Sequence, residues 1–283
     1  MKKWLCAALL VAILGAQTAQ ACTIFTVTKN GTVLFAGNED QASNKSYLVV
    51  DKTGKYGVVF IATPTDEYPL VMQMGVNAQG LAYDINSIGK ETLKPQPNTT
   101  RQTEWALVKL MRETGSVDEL LGKFFTYDWG PSIAYQIHVA DRFGNAVVIH
   151  PGKDGRLTYT RINKATGYLI STNFNLRDLD MDRPFSSRYK TTEARLKALT
   201  AKGGVSPGAA ALVLEATHQA ANIIVPVRTI YSTVVDLNTL DMTVYYESRF
   251  DAPHRLSLRS LLAGGSGKSM VPLSDAIGVK PGN

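Results

Sequence analysis

The residues best suited to chemistry begin at Cys22, because of what stands before it. Lys2 and Lys3 form a positive n-region, Leu5 to Leu14 an apolar core, and Ala19-Gln20-Ala21 a small-residue cleavage site. Residues 1–21 therefore read as a secretory signal, and cutting after Ala21 makes Cys22 the first residue of the mature chain. One residue then carries both a thiol and a free α-amine. That pairing is a nucleophile with its own base, the cysteine counterpart of an N-terminal threonine. An α-amine titrates near ~7.7–8 and a thiol near ~8.5, so a proton passes between them at little cost at neutral pH. The bland alternative is a lipid-anchored cysteine. That reading asks for an aliphatic residue three places before the cysteine, and Ala19 followed by Gln20 fits it poorly.

Cys6 falls inside the signal, so Cys22 is the single mature thiol and no internal disulfide is expected. The signal holds two of the 30 Lys and Arg residues and none of the 24 Asp and Glu, leaving a mild mature net charge of +4. Without a basic cluster or aromatic-basic interleaving, that balance does not argue for nucleic acid. No stretch after the signal approaches the ~20 apolar residues of a membrane span. The expected setting is periplasmic or secreted. The chain of 283 residues is read as signal (1–21), a single domain (22–263) and a flexible tail (264–283) rich in glycine and polar residues.

The elements that must position Cys22 follow from it directly. Two β-rich runs, Cys22–Val27 and Val33–Gly37, flank Asn30-Gly31, the strongest short-range hairpin signal. Asn38-Glu39-Asp40 closes the second strand. Further strands are predicted over 47–51, 56–62, 70–76 and 81–86, with 77–80 as a turn and 90–98 as a surface loop. Helices are predicted over 103–113 and, opened by the capping box Ser116-x-x-Glu119, through Phe125. Strands return at 134–140, 146–150, 157–161 and 168–172. Helices at 187–200 and 207–220 and a hairpin over 229–236 and 242–247 complete the pattern. Blocks of strands alternating with helix pairs imply an α+β chain with helices as outer layers on antiparallel sheets.

Four blocks then arrive in order: Gly37-Asn38-Glu39-Asp40, Gly75-Val76-Asn77-Ala78-Gln79-Gly80-Leu81-Ala82 running to Asn86, Ser171-Thr172-Asn173-Phe174, and Ser186-Ser187-Arg188-Tyr189. With Cys22-Thr23 they resemble the N-terminal-nucleophile cysteine amidases of the choloylglycine hydrolase and penicillin V acylase family. The resemblance covers most of residues 22–190. It implies an αββα four-layer sandwich and hydrolysis of a linear amide through a Cys22 thioester. By position it makes Cys22 the nucleophile and Asp40 the residue that orients its amine. Asn173, with Asn86 in support, would donate to the oxyanion, and Arg188 would hold the cysteine and aspartate network and favour the thiolate. The expected substrate is a small-molecule N-acyl amide, with no cofactor and no metal, and the expected assembly is a homo-oligomer. One departure stands out: the choloylglycine hydrolases carry an arginine where this chain has Gly37, which removes a positive charge near the nucleophile.

Asn77 reads as a turn residue. His138 and His150 lie in or at the end of apolar strands and read as packed structural residues, against a Cys/His protease. His218 and His254 lack metal-ligand spacing. Tyr47 and Tyr68 are candidates for an acyl pocket. The rival functions are acyl transfer to an amine in place of water, and a non-catalytic envelope lipoprotein or binding domain.

Overall fold

Asn30 and Gly31 both take positive φ, 52° and 83°, the two-residue turn whose twist matches the strands on either side. It joins β1 (Thr23–Lys29) to β2 (Thr32–Gln41) in a register that sets Thr23 against Asn38 and Ile24 against Gly37. The computed structural model describes residues 22–65, 68–97, 99–101, 104–179, 186–220 and 227–279. The expected secretory signal and cleavage site, residues 1–21, lie outside the described residues, as do the last four residues of the chain.

The chain continues through β3 (Tyr47–Asp51), β4 (Val58–Thr63), β5 (Val71–Asn77), β6 (Leu81–Thr92), α1 (Ala106–Glu113) and α2 (Val117–Phe124). Then come β7 (Ser132–Asp141), β8 (Ala146–Pro151), β9 (Leu157–Arg161), β10 (Tyr168–Ser171), α3 (Ser187–Ala201) and α4 (Pro207–Glu215). The last elements are β11 (Arg228–Asp236), β12 (Asp241–Tyr246), β13 (His254–Ser257), α5 (Leu258–Leu262), β14 (Lys268–Pro272) and α6 (Leu273–Ala276). One antiparallel sheet runs β10-β1-β2-β11-β12-β13, and the other β14-β3-β4-β5-β6-β7-β8-β9. Helices α3 and α4 cover the outer face of the first sheet, and α1 and α2 that of the second. The result is the αββα sandwich.

Each strand between two layers is buried on both faces, which explains why β2 and β4 read as nearly continuous apolar runs. Between the sheets lie Ile24, Met74, Val76 and Ala82; beneath α1 and α2 lie Phe60, Leu81, Tyr83, Leu107 and Phe124. Asn77 does more than turn the chain. Its Nδ2 donates to the carbonyls of Met111 and Thr114 at 2.9 and 2.7 Å, and its Oδ1 accepts from the Gln79 and Leu81 amides at 3.0 and 3.1 Å. It thereby fixes the end of α1 to the β5–β6 turn. Among the described residues, no helix is long and apolar enough to cross a membrane.

Three expectations change. Strand β6 runs on to Thr92, pairing Glu91 and Thr92 with Ile133 and Ser132 beyond an irregularity, so the loop starts later than the prolines suggest. β13 and α5 stand where no element was expected. The stretch taken as a flexible tail holds β14, which pairs with β3 from Lys268↔Asp51 to Pro272↔Tyr47, and α6, which buries Leu273 in the core between the sheets. All five residues of β14 are exposed, so they carry no apolar alternation by which a strand is read.

Gly75 is held to glycine by packing: a Cβ there would lie 2.6 Å from Phe60 Cδ1 and 2.8 Å from Tyr83 Cε1. Gly75→Ala is expected to cost about 1–3 kcal/mol through overpacking. Urea unfolding should show a lower midpoint at unchanged slope.

Candidate active site

Cys22 sits just ahead of β1 and is 1% exposed. The hairpin register places it across from Glu39, and its Sγ lies 3.4 Å from Glu39 Oε2, the thiol donating. Gln41 Nε2 donates to the other oxygen of that carboxyl at 2.5 Å, and the Gln73 side chain also bonds it. From the facing sheet comes Asp84 on β6, buried, with its Oδ1 accepting from the Ile85 amide at 2.7 Å. Its Oδ2 stands 2.8 Å from where a Cβ on Gly37 would be. The space an arginine would enter at position 37 is therefore closed by a carboxylate.

The backbone side of Cys22 is organised by Arg188, in the first turn of α3. Its Nη1 donates to the Cys22 carbonyl at 3.1 Å and to Thr23 Oγ1 at 3.2 Å, and stands 3.7 Å from Asp40 Oδ2. Its Nη2 donates to Asn173 Oδ1 at 3.0 Å. The start of α3 is itself tied to the end of β10: Ser186, whose hydroxyl accepts from the Tyr189 amide, meets Thr172 Oγ1 at 3.2 Å. Gln136 on β7 holds the same segment by donating to the Thr172 and Phe174 carbonyls at 2.7 and 2.9 Å and accepting from the Leu176 amide at 3.1 Å. Asn173 is thus fixed from both sides, and its Nδ2 donates to the Ser87 carbonyl at 3.0 Å.

Asp40 is fully buried, with Oδ1 accepting from Thr229 Oγ1 and Oδ2 accepting no hydrogen bond. Asn86, on the same strand and inner face as Asp84, is also fully buried, and neither its Oδ1 nor its Nδ2 is bonded. An amide left in that state costs free energy unless something comes to meet it. Of the five residues singled out in the sequence, Cys22, Asp40, Asn173 and Arg188 are linked by contacts. Asn86 stands next to Ser87, the acceptor of the Asn173 bond.

The electrostatics depart from expectation. Arg188 was expected to favour the thiolate; its guanidinium hydrogen-bonds the Cys22 carbonyl, and its attraction for a sulfur anion is outweighed by burial and the carboxyls. Burial pushes the thiol well up, and Glu39, Asp40 and Asp84 add to the shift, opposed by the Asp40 backbone amide. The sulfur rests as a neutral thiol. Burial also raises Glu39 to about 8 and Asp40 to about 7, the latter in spite of the Thr229 bond and Arg188. Asp84 is raised well above the usual carboxylate range by burial and by Glu39.

His138 and His150 take no part in this cluster, whereas His218 lies near enough to Asp40 to oppose the rise of its carboxyl. His138 is buried between the sheets, its ring nitrogens 3.0 Å from Thr26 Oγ1 and 2.9 Å from Ser171 Oγ, and burial lowers it to about 3. Thr26 is four residues, roughly 13 Å, along β1 from the thiol. His150 bonds Thr160 and the Pro151 carbonyl. Tyr47 packs beneath the α1 and α2 layer, and Tyr68 is exposed, so neither lines the surroundings of the thiol. Among the described residues no group of three or more acidic, His or Cys side chains could hold a metal ion. The sequence reading gave no role to Glu39, Asp84, Gln41 or Thr229. The signal for Glu39 was present, since a two-residue turn at 30–31 puts residue 39 opposite residue 22.

No protein-family model matches the chain, and no curated protein sequence matches it. Solved structures do. A variant of conjugated bile acid hydrolase from Clostridium perfringens superposes with a TM-score of 0.69 at 15% identity, over 89% of this chain and 97% of that one. Penicillin V acylase from Agrobacterium tumefaciens gives 0.67 at 14% identity, over 89% and 92%. At such identities the likeness establishes a shared fold.

A carboxyl whose pKa rises on folding favours the folded state below its unfolded pKa, and that contribution is lost as pH rises through the folded value. For Glu39 the window runs from about 4.5 to about 8. His138 works in the opposite sense, from about 3 to about 6.5, and is spent above that. Stability in urea is therefore expected to fall between about pH 6.5 and pH 8. Glu39→Gln should flatten that fall, and equal slopes in the two proteins would contradict it.

Proposed function

We propose that this chain is an exported cysteine amidase of the periplasm or extracellular space. In this reading, removal of residues 1–21 frees the α-amine of Cys22, and the mature protein hydrolyses a linear N-acyl amide through a thioester. The observation that carries the reading is the reach of Arg188 to the Cys22 carbonyl, Asp40 and Asn173 together. Cys22-Thr23 and three of the four sequence blocks, far apart along the chain, supply those residues, and the fold shared with a bile acid hydrolase and a penicillin V acylase is consistent with the same chemistry.

The thiol is neutral at rest, so attack requires a base, and the α-amine of Cys22 is covalently next to it. As Sγ bonds to the substrate carbonyl carbon, the thiol proton passes to the amine and the π pair moves to oxygen. Asp40 Oδ2, buried and accepting no hydrogen bond, is the acceptor suited to orient that amine. The amide N–H groups of Asn86 and Asn173 are the donors suited to the oxyanion. When the tetrahedral adduct collapses, the C–N pair goes to the leaving nitrogen with a proton from the α-ammonium. Water then attacks the thioester and the acyl group leaves as a carboxylic acid.

Intact mass of the exported protein is expected to begin at Cys22, with one adduct at that residue after alkylation. Cys22→Ala should reduce turnover of a panel of acyl amides to background; surviving turnover would reject the reading, as would a blocked or differently placed N-terminus. Asn86→Ala should lower kcat by ~10²–10³. Because both polar atoms of Asn86 are unbonded, the same change should leave the unfolding midpoint within about 1 kcal/mol. A loss of fold without a loss of kcat would assign Asn86 to structure.

A further inference from the structure

The proposed amidase leaves one feature of its own site unused: the carboxyl against the nucleophile. Hydrolysis of a thioester ends with sulfur leaving as the C–S bond breaks. A thiolate in water is a competent leaving group. Here it would form in a fully buried position facing Glu39 and Asp40 from β2, Asp84 from β6 and the neutral phenol of Tyr231 from β11. The positive group within reach, Arg188 of α3, is engaged by the Cys22 carbonyl, Thr23 and Asn173. Gly37 contributes no charge, and the space beside it is filled by Asp84. Burial above all disfavours an anion on Sγ, and any ionised carboxyl around it adds to that, so the departing sulfur is best released as the neutral thiol.

We propose that Glu39 is a second catalytic residue of this site, the acid that protonates Cys22 Sγ as the acyl group is released. The inference rests on the amidase reading. Its geometry is the 3.4 Å contact between Oε2 and Sγ, with the carboxyl fixed in plane by the Gln41 amide on its other oxygen and by Gln73. At neutral pH the carboxyl holds its proton, because burial raises it to about 8. The step balances as follows. Water bonds to the thioester carbon and gives a proton to the α-amine of Cys22. The C–S pair goes to sulfur, which takes the proton of Glu39. The resulting carboxylate is reprotonated by the α-ammonium, restoring thiol, amine and acid. Asp84 is a positioning residue: it and Glu39 are buried carboxyls that cannot both ionise cheaply, which keeps protons in the pair.

The test uses the exported full-length protein, a chromogenic N-acyl anilide turned over by the wild type, and iodoacetamide. Glu39→Gln keeps the shape and the Gln41 and Gln73 neighbours but has no proton to give. Steady-state kcat is expected to fall ~10²–10⁴-fold, with a burst of aniline and an acyl adduct on residue 22 visible by intact mass. Above about pH 8 wild-type Glu39 is a carboxylate that opposes the thiolate and the variant has none, so alkylation of Cys22 at ~pH 9 should be faster in the variant than in the wild type. A residue with only a structural role would slow both. Asp84→Asn provides a second measurement. With one carboxyl of the pair gone, Glu39 should ionise at lower pH, so the fall of kcat with rising pH should shift to lower pH, with no accumulated adduct on the acid side of that fall. Glu39→Gln that turns over without burst or adduct, or that alkylates no faster, overturns the role of Glu39 while wild-type turnover stands. Absence of any Cys22-dependent turnover in the wild type overturns the amidase reading and this step with it.

Discussion

Arg188 is the one side chain on which the site depends, because its guanidinium holds together parts that the chain delivers separately. It reaches the carbonyl of Cys22 at the head of β1, the carboxyl of Asp40 at the far end of β2 and the amide of Asn173 after β10. A planar fork with several fixed donors can satisfy such a divergent set, where the ammonium of lysine would serve as a point charge. The consequence for Cys22 is geometric. With its carbonyl fixed on the helix side, its side chain is turned toward Glu39 and the space between the sheets.

That space is polar around the thiol and apolar elsewhere. Buried polar groups persist only when paired, and most here are: His138 joins Thr26 to Ser171, and Gln136 holds the chain around Asn173 through both ends of its amide. Among the described residues, Asn86, one oxygen of Asp40 and one oxygen of Gln73 are buried without a hydrogen-bonded partner, as is the Thr192 hydroxyl on α3. Local cost of this kind is characteristic of sites kept for binding or catalysis.

Much of this was legible in the sequence, and the reasons are specific. The Asn30-Gly31 turn fixed the first hairpin, and regular strand and helix periods gave the two outer helix pairs, because the residues involved face a single core. Of the four residues that the structure links by contacts, Cys22 was singled out by the expected cleavage site, and Asp40, Asn173 and Arg188 by short blocks whose order resembles a family pattern. What could not be read was placement between sheets. Nothing along the chain relates Asp84 to Gly37, which meet only because β6 packs across β1. The C-terminal strand escaped for a different reason: β14 is an exposed edge, so its residues Lys268, Ser269 and Met270 are under no pressure to alternate. Arg188 was identified as a residue, but its contact with a carbonyl in place of the sulfur was a matter of side-chain direction.

The exchange at position 37 ties these points together. Glycine there does two things at once: it withholds a cation from the neighbourhood of the thiol, and it leaves a volume into which Asp84 projects, 2.8 Å from the missing Cβ. A carboxylate beside Glu39 raises the affinity of both for protons, since two like charges in a buried site cannot both form cheaply. Charge near the nucleophile is thereby replaced by protons near the nucleophile. A site built around a cation stabilises a thiolate and relies on that ion both to attack and to leave. A site built around Glu39 and Asp84 keeps the sulfur neutral at rest. In the proposed mechanism its activation then falls to a base and its release to an acid, so that the timing of proton movement, rather than the standing charge of the sulfur, is the property that the surrounding residues would control.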